Sequence, residues 1–123
     1  MKKLILFFLF LNFENLYPQV LLVNDAIFED VVLRSSQPVI VKFFVPKCAS
    51  CMQLDPIFSA VSDQVSGIKF MQLNTQLNGR TRDKYKVRTV PVIIIFVNGK
   101  EVYRTNRVYS EQQLLEFIRK HAQ

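Results

Sequence analysis

The sequence predicts one α/β domain in which a central mixed β-sheet is flanked by helices on both faces. Strand-like and helix-like segments alternate along the chain, which is typical of a sheet covered by helices. The dipeptide Asn98-Gly99 separates two strand-like runs and predicts a β-hairpin. No internal repeat, low-complexity tract or linker interrupts residues 20–123. We therefore assign those residues to a single domain.

The predicted strands are short runs rich in β-branched and aromatic residues. The first strand has four residues, the second is a continuous apolar run typical of a buried strand, and the third alternates in polarity. The last two are the arms of the hairpin. The five predicted strands are Val20–Val23, Pro38–Val45, Ile68–Leu73, Val92–Val97 and Val102–Thr105.

The predicted helices begin at residues that can cap a helix or at a change from strand-like to helix-like periodicity. A glycine, Gly67, is expected to end the second helix. Ser110 and Gln113 form a capping-box pattern before the last helix, whose apolar face contains Leu114 and Ile118. The predicted helices run from Asn24 or Asp25 to about Arg34, from about Cys48 to Val65, from Gly79 to Tyr85, and onward from Ser110.

The segment Cys48-Ala-Ser-Cys51 contains the chain's only two cysteines. A disulfide between them closes too short a loop to stabilise the fold through chain entropy, which favours a reversible redox role. Cys48 lies where a strand gives way to a helix, and the unpaired N–H groups and dipole of a helix N-terminus lower the pKa of a thiol. We therefore predict that Cys48 is the nucleophile and that Cys51, one turn further on, is the shielded resolving thiol.

Two other interpretations of the cysteine pair stay open: half of a zinc site, or two thiols without a common role. A structural zinc site needs about four protein ligands. Beyond the pair, the chain contains a single histidine, His121. The ligand count therefore disfavours a metal. Thiol–disulfide exchange needs no bound cofactor, because the electrons pass through the cysteines themselves.

The chain resembles the thioredoxin family from about residue 20 to its C-terminus. Residues 41–51 (VKFFVPKCASC) are similar to the family's strand and active-site turn, and Pro56 matches the proline that kinks the active-site helix. Residues 85–92 (YKVRTVPV) resemble the segment that leads into the family's cis-proline, and residues 96–100 (FVNGK) its hairpin. The resemblance implies a thioredoxin-like fold and a protein-disulfide oxidoreductase.

The resemblance also implies a substrate-binding role for Val90 and Pro91. In the family, the loop before the cis-proline faces the disulfide, and its backbone pairs with an extended substrate segment. Val90 is therefore expected to supply main-chain hydrogen bonds, while Pro91 shapes the groove. Taken without the resemblance, Pro91 is also compatible with an ordinary strand start, where its missing N–H is not needed.

Several residues near the cysteines depart from the family pattern and are predicted to tune the redox reaction. Lys47 replaces a tryptophan, and a cation at that position favours the Cys48 thiolate. Ala49 and Ser50 replace Gly-Pro, giving a less rigid turn with a hydroxyl that can donate to sulfur.

Lys42 stands where the family has a buried aspartate, and Gln72 occupies the position of the lysine that pairs with it. We infer that Lys42 stabilises the reduced form and makes the protein more oxidising than an ordinary thioredoxin. The alternative is that Lys42 extends to solvent and has no effect.

Residues 1–19 are expected to form a separate hydrophobic leader. Two lysines precede a short apolar run at residues 4–11, which is the composition of a secretory signal peptide. The run is shorter than the roughly twenty residues that span a bilayer. Residues 12–19 contain no small-residue cleavage site, so the segment is also compatible with an anchor that is not cleaved. A further alternative is an extra hydrophobic strand or helix packed on the domain.

Composition narrows the function classes. The formal net charge is +6, but the basic residues between positions 80 and 88 alternate with others and predict a solvated face, which disfavours nucleic acid as a partner. A mildly basic rim is suited to steering acidic substrate proteins. We predict an exported or organellar thiol–disulfide oxidoreductase, monomeric, with protein substrates and a redox-recycling partner. A cytosolic thioredoxin-type reductant and a binding module with little turnover are the alternatives.

Overall fold

Residues 19–122 are described in the computed structural model, and they contain one mixed β-sheet. The strands lie in the order β1-β3-β2-β4-β5. β1 and β2 run parallel to β3, whereas β4 runs antiparallel to both β2 and β5. This arrangement confirms the predicted fold class. The strands are β1 (Val20–Val23), β2 (Val39–Phe44), β3 (Lys69–Asn74), β4 (Val92–Val97) and β5 (Lys100–Thr105).

Helical segments cover both faces of the sheet. Three α-helices, α1 (Ala49–Gln64), α2 (Gly79–Lys84) and α3 (Glu111–His121), accompany a π-helical segment at Glu29–Leu33 within the described residues. On one face, Ile40 of β2 packs in a core with residues of α1 and α3. On the other face, Val41 packs with residues of the π-helical segment and of the loop after α2. Successive residues of β2 thus enter opposite cores, as the alternation of a strand requires.

The structure differs from the predictions at the first helix, at the C-terminus of α1 and at the start of β5, and by single residues at other boundaries. The first helix is wound as a π-helix, in which the N–H of Arg34 donates to the carbonyl of Glu29 at 3.0 Å. The prediction that Gly67 ends α1 is wrong, because Val65 already has an extended backbone and Gly67, at φ 79°, belongs to the turn into β3. β5 begins at Lys100 because the hairpin turn contains only Asn98 and Gly99, both at positive φ.

Within residues 19–122, no helix combines the length and the apolar composition needed to cross a membrane. The predicted leader lies outside the described residues, apart from Gln19.

Gly99 occupies a backbone position that only glycine fits. Its φ is 77°, and a Cβ atom added there would lie 2.5 Å from the carbonyl oxygen of Leu33. The left-handed conformation costs an ordinary residue about 1 to 2 kcal/mol, and the contact with the backbone of Leu33 adds to that cost. We expect Gly99→Ala to lower the free energy of unfolding in urea by more than Gly67→Ala, because Gly67 (φ 79°) has open space around it. Equal losses would show that the hairpin yields to the added methyl group.

Asp25 caps α2 from the loop after β1. Its carboxylate accepts the N–H of Thr81 at 2.9 Å and that of Arg80 at 3.1 Å, and its own N–H donates to the side chain of Asn78 at 2.8 Å. Burial raises the pKa of Asp25, but the hydrogen bonds from Thr81 and Arg80 outweigh it, so the pKa lies below its ordinary value of 3.8. The carboxylate therefore holds α2, and with it the following loop, against β1.

We expect Asp25→Ala to cost about 1 kcal/mol of stability at neutral pH, as the loss of a helix cap does. Because the folded state lowers the pKa of Asp25, the stabilisation is present above pH 3.8 and disappears as the pH falls through the folded value. Urea unfolding of wild type and variant from pH 7 down to pH 2 measures this. A difference in stability that persists undiminished in acid would contradict a role for the ionised carboxylate.

Candidate active site

Cys48 is the N-cap residue of α1. β2 ends at Phe44, and beyond a short loop Cys48 has an extended backbone (φ −95°, ψ 114°) that turns the chain into the helix. Its Sγ accepts the N–H of Cys51 at 3.2 Å, and its carbonyl accepts the N–H of Met52 at 2.9 Å. The sulfur thus lies at the positive end of the helix dipole, where an anion is stabilised.

Cys48 and Cys51 are joined in a disulfide, with their Cα atoms 5.2 Å apart. Their environments differ. Cys48 is partly exposed, whereas only 2% of Cys51 is accessible to solvent. Cys48 is therefore the cysteine that a partner molecule can reach, while Cys51 is covered by the fold.

The residues between and before the cysteines border the disulfide. Ser50 Oγ lies 3.5 Å from Cys48 Sγ, close enough for a weak hydrogen bond to sulfur. Ala49 and Lys47 are exposed, and Lys47 has a left-handed backbone at φ 60°. A non-glycine residue in that conformation is strained, and such strain clusters at functional sites. Lys47 also places a positive charge on the residue directly before Cys48.

Lys42 is buried in β2 with 2% of its surface accessible. Its ammonium forms an ion pair with Asp55 of α1 and lies 5.1 Å from the ring centroid of Phe58 and 5.9 Å from that of Phe44. The alternative in which Lys42 extends to solvent is therefore wrong. The lysine is instead held beneath α1 by one carboxylate and two aromatic rings.

Asp55 is the residue that sequence reasoning missed. It follows Cys51 by four positions on α1, so the two side chains lie on one face of the helix. Its side chain is 52% exposed and borders a cleft of about 270 Å³, together with Lys42 and Gln72. Gln72 is the β3 residue in register with Lys42. The i, i+4 spacing from Cys51 was the available signal that Asp55 lies near the disulfide. That spacing does not reveal that Asp55 pairs with Lys42 on a strand.

Val90 and Pro91 lie at the same edge of the sheet as the disulfide. Val92, which begins β4, pairs with Phe43 near the end of β2, and the chain then continues from β2 to Cys48. The peptide bond between Val90 and Pro91 is cis. Pro91 is buried and Val90 is half-buried. The topology thus brings both sequence-predicted motifs to one edge.

The family model for thioredoxin matches residues 19–120. The chain belongs to the thioredoxin family. The thioredoxin of Haemophilus influenzae is 31% identical over 104 residues, which are 84% of this chain and 97% of that protein. The chloroplastic M-type thioredoxin of Brassica napus is 43% identical over 81 residues, 65% of this chain but 46% of that protein. The chain thus spans about half the length of this plant relative.

A solved thioredoxin structure has the same fold. A mutant thioredoxin from Halobacterium salinarum NRC-1 superimposes with a TM-score of 0.77 at 22% sequence identity, covering 86% of this chain and 94% of that one. The predicted thioredoxin fold is therefore confirmed.

As for metal ligands, no group of three or more histidine, cysteine, aspartate or glutamate side chains within residues 19–122 is arranged to hold an ion. His121 stacks on Tyr103, with the ring centroids 3.7 Å apart.

Proposed function

We propose that this protein is a thiol–disulfide oxidoreductase that exchanges disulfides with protein substrates through Cys48 and Cys51. One observation carries the proposal: a disulfide at a helix N-terminus joins a partly exposed cysteine to a nearly inaccessible one. Cys48 is suited to attack a substrate because it is partly exposed and lies at a helix N-terminus. Cys51 is suited to react only within the protein because it is buried.

In the reductive direction, the Cys48 thiolate attacks one sulfur of a substrate disulfide. That S–S bond breaks, a mixed disulfide forms at Cys48, and the first substrate sulfur leaves as a thiolate that takes up a proton. Cys51 then loses its proton and attacks Cys48 Sγ, and the second substrate sulfur leaves. The substrate gains two electrons and two protons overall, and the protein is left with the Cys48–Cys51 disulfide.

Val90 and Pro91 are proposed to bind the substrate during this exchange. Their position at the sheet edge beside the disulfide supports the proposal, because an extended substrate segment there can pair with the backbone of Val90. A partner that donates a dithiol must reduce the protein disulfide after each cycle. If the potentials are reversed, the same steps insert a disulfide into the substrate.

The surrounding residues are proposed to set the potential. Lys47 and the Ser50 hydroxyl favour the Cys48 thiolate through charge and hydrogen bonding, and Ala49 leaves the turn between the cysteines free of proline. Lys42 acts on the disulfide from the buried side of α1. Because the Asp55 carboxylate is half-exposed, water screens its field more than that of the buried ammonium, so the pair keeps a net positive field toward the interior.

We expect Lys42→Met to make the protein more reducing, with a tenfold change in its equilibrium constant with glutathione, or about 30 mV. The reason is that the variant removes a buried positive charge that favours the thiolate form. Titration of the disulfide in glutathione buffers measures the potential. A potential equal to that of wild type would rule out tuning by Lys42.

Catalytic turnover of insulin tests the proposed function. In the presence of dithiothreitol, the wild-type protein is expected to accelerate precipitation of the insulin B chain, whereas a Cys48→Ser/Cys51→Ser variant is not. A wild-type rate equal to that of the variant would refute the proposal. The chain would then fit the alternative of a thioredoxin-fold binding module with little turnover.

We further propose that residues 1–19 are a leader that directs the protein to an exported or organellar compartment, with membrane association if it stays attached, and that the domain of residues 20–123 works as a monomer. The lysine-rich start and apolar run support the leader. Mass spectrometry of the mature N-terminus tests whether the leader is cleaved. Cell fractionation tests the compartment and membrane association, and light scattering tests whether the domain is a monomer. An intact N-terminus in the cytosolic fraction would favour a cytoplasmic thioredoxin-type reductant.

A further inference from the structure

Three loops at the same end of the sheet as the disulfide carry positive charge only. They contain four basic residues and no acidic one. All four basic side chains are exposed, and none of them forms an ion pair within the described part of the chain. The loops are residues 45–47, 85–91 and 106–110, and the basic residues, which we call the basic rim, are Lys47, Lys86, Arg88 and Arg107.

The sheet brings these three loops together. Residues 45–47 follow β2 directly, and residues 85–91 lead into β4, whose first residue pairs with Phe43 near the end of β2. Thr105, the last residue of β5, pairs with Ile93 of β4, so residues 106–110 leave the sheet at the same edge. Four cations without an ion-pair partner thus lie at the same end of the sheet as Cys48, where an acidic partner can neutralise their charge.

A cleft of about 330 Å³ lies within this edge, bordered by Lys86 and Arg88 and free of carboxylates along its lining. Arg104 forms part of the wall. Its guanidinium is fixed by Glu101, with Nε 2.7 Å from the carboxylate oxygen, and by the carbonyl of Tyr85 at 2.8 Å. Since Arg104 is already neutralised, Lys86 and Arg88 remain available to an external anion.

The carboxylate that acts on Arg88 is already paired. The pKa of Asp83 is lowered chiefly by a hydrogen bond from Arg82, with a smaller contribution from the charge of Arg88. Asp83 forms its ion pair with Arg82 at 3.0 Å. Because Asp83 is already paired with Arg82, Arg88 remains available to a carboxylate outside the protein.

We propose that the basic rim binds aspartate and glutamate residues that flank the target cysteine, so that acidic polypeptide segments are the preferred substrates. This inference rests on the proposed exchange at Cys48. The loop containing Val90 holds the substrate backbone, while Lys86 and Arg88 contact acidic side chains near the substrate disulfide. Charge complementarity of this kind raises association rates by about 10 to 1,000-fold at low salt. It weakens as added salt shortens the Debye length.

Three disulfide-bonded peptides of equal length, flanked by Asp/Glu, by Ser/Gln or by Lys, provide the test. We expect kcat/KM of the full-length protein to be about tenfold higher for the acidic than for the basic peptide at low salt, and the ratio to approach one at high salt. A ratio near one at low salt, with the neutral peptide still reduced, would overturn the proposed role of the basic rim and leave the proposed function intact. Failure to reduce any peptide would overturn both.

Two double variants locate the effect. Lys86→Glu/Arg88→Glu should invert the acidic-to-basic ratio, and a ratio of rates is independent of any loss of overall activity. Lys69→Glu/Lys100→Glu makes the same charge change on exposed residues at the other end of the sheet, where β3 and β5 begin. This control should retain the preference for the acidic peptide. Equal loss of preference in both variants would assign the effect to net charge and contradict the proposal.

Discussion

Cys51→Ser is expected to convert the protein into a trap for its substrates, whereas Cys48→Ser removes both turnover and capture. Cys48 is the partly exposed sulfur at the N-terminus of α1, and Cys51 is only 2% accessible. Without Cys51 the mixed disulfide at Cys48 has no internal thiol to resolve it, so it accumulates. Without Cys48 no mixed disulfide forms. Both variants should lose insulin turnover by about three orders of magnitude or more, as loss of a nucleophile does.

Non-reducing electrophoresis followed by mass spectrometry measures the trapped species. Each single variant, reduced beforehand, is mixed with insulin, and the adduct is quantified before and after addition of dithiothreitol. The Cys48→Ser/Cys51→Ser variant is the blank, because it retains the fold without either thiol. Equal adduct formation by the two single variants would mean that the sulfur of residue 51 is as reachable as that of residue 48, contrary to the assigned roles.

Loss of the Asp55 carboxylate is expected to cost far more stability than loss of the lysine that it pairs with. Asp55→Ala leaves the Lys42 ammonium buried without a counter-ion, and removing one partner of a buried pair costs about 3 kcal/mol or more. Lys42→Met instead places an apolar chain between the rings of Phe44 and Phe58, leaving an aspartate that is already half-exposed to water. Because the remaining aspartate is solvated, we expect removal of the desolvation cost of the buried ammonium to offset the loss of the pair.

A double-mutant cycle in urea at neutral pH separates the two contributions. Lys42→Met/Asp55→Ala should recover most of the stability that Asp55→Ala loses, because the buried charge is then absent. Asp63→Ala is a matched control on the same helix, since Asp63 is exposed and forms no ion pair within the described residues. If both single variants and the double variant lost equal stability, the attraction within the pair, rather than burial of a lone charge, would be the dominant contribution.

The parts of the site that are local in sequence could be predicted from it. The position of Cys48 follows from the change of periodicity around it, and the capping box of Ser110 and Gln113 is a short-range pattern that the structure contains. The Asn98-Gly99 turn is likewise encoded by two residues that tolerate positive φ. In each case the deciding interaction spans only a few residues, so it can be recognised without knowing the fold.

The pairing of Lys42 with Asp55 could not be predicted in the same way. It joins a strand to a helix across the core, and either residue alone is compatible with a surface position. The role of Gly67 at the end of α1 was wrongly predicted for a related reason. A glycine near a helix end predicts a left-handed cap, but the chain adopts an extended conformation already at Val65, and Gly67 serves the turn that follows. Tertiary packing, which sets both features, leaves little local signal in the sequence.

The direction of β1 fixes how the molecule is presented when it is held by its N-terminus. β1 and β2 both run parallel to β3, so Val20 lies at the end of the sheet remote from Cys48. A purification tag, a fused domain or a lipid bilayer attached directly at Val20 would therefore lie at the end of the sheet opposite the active site. Immobilised through that end, the protein would keep its reactive sulfur pointing into solution, where large partners can approach without obstruction.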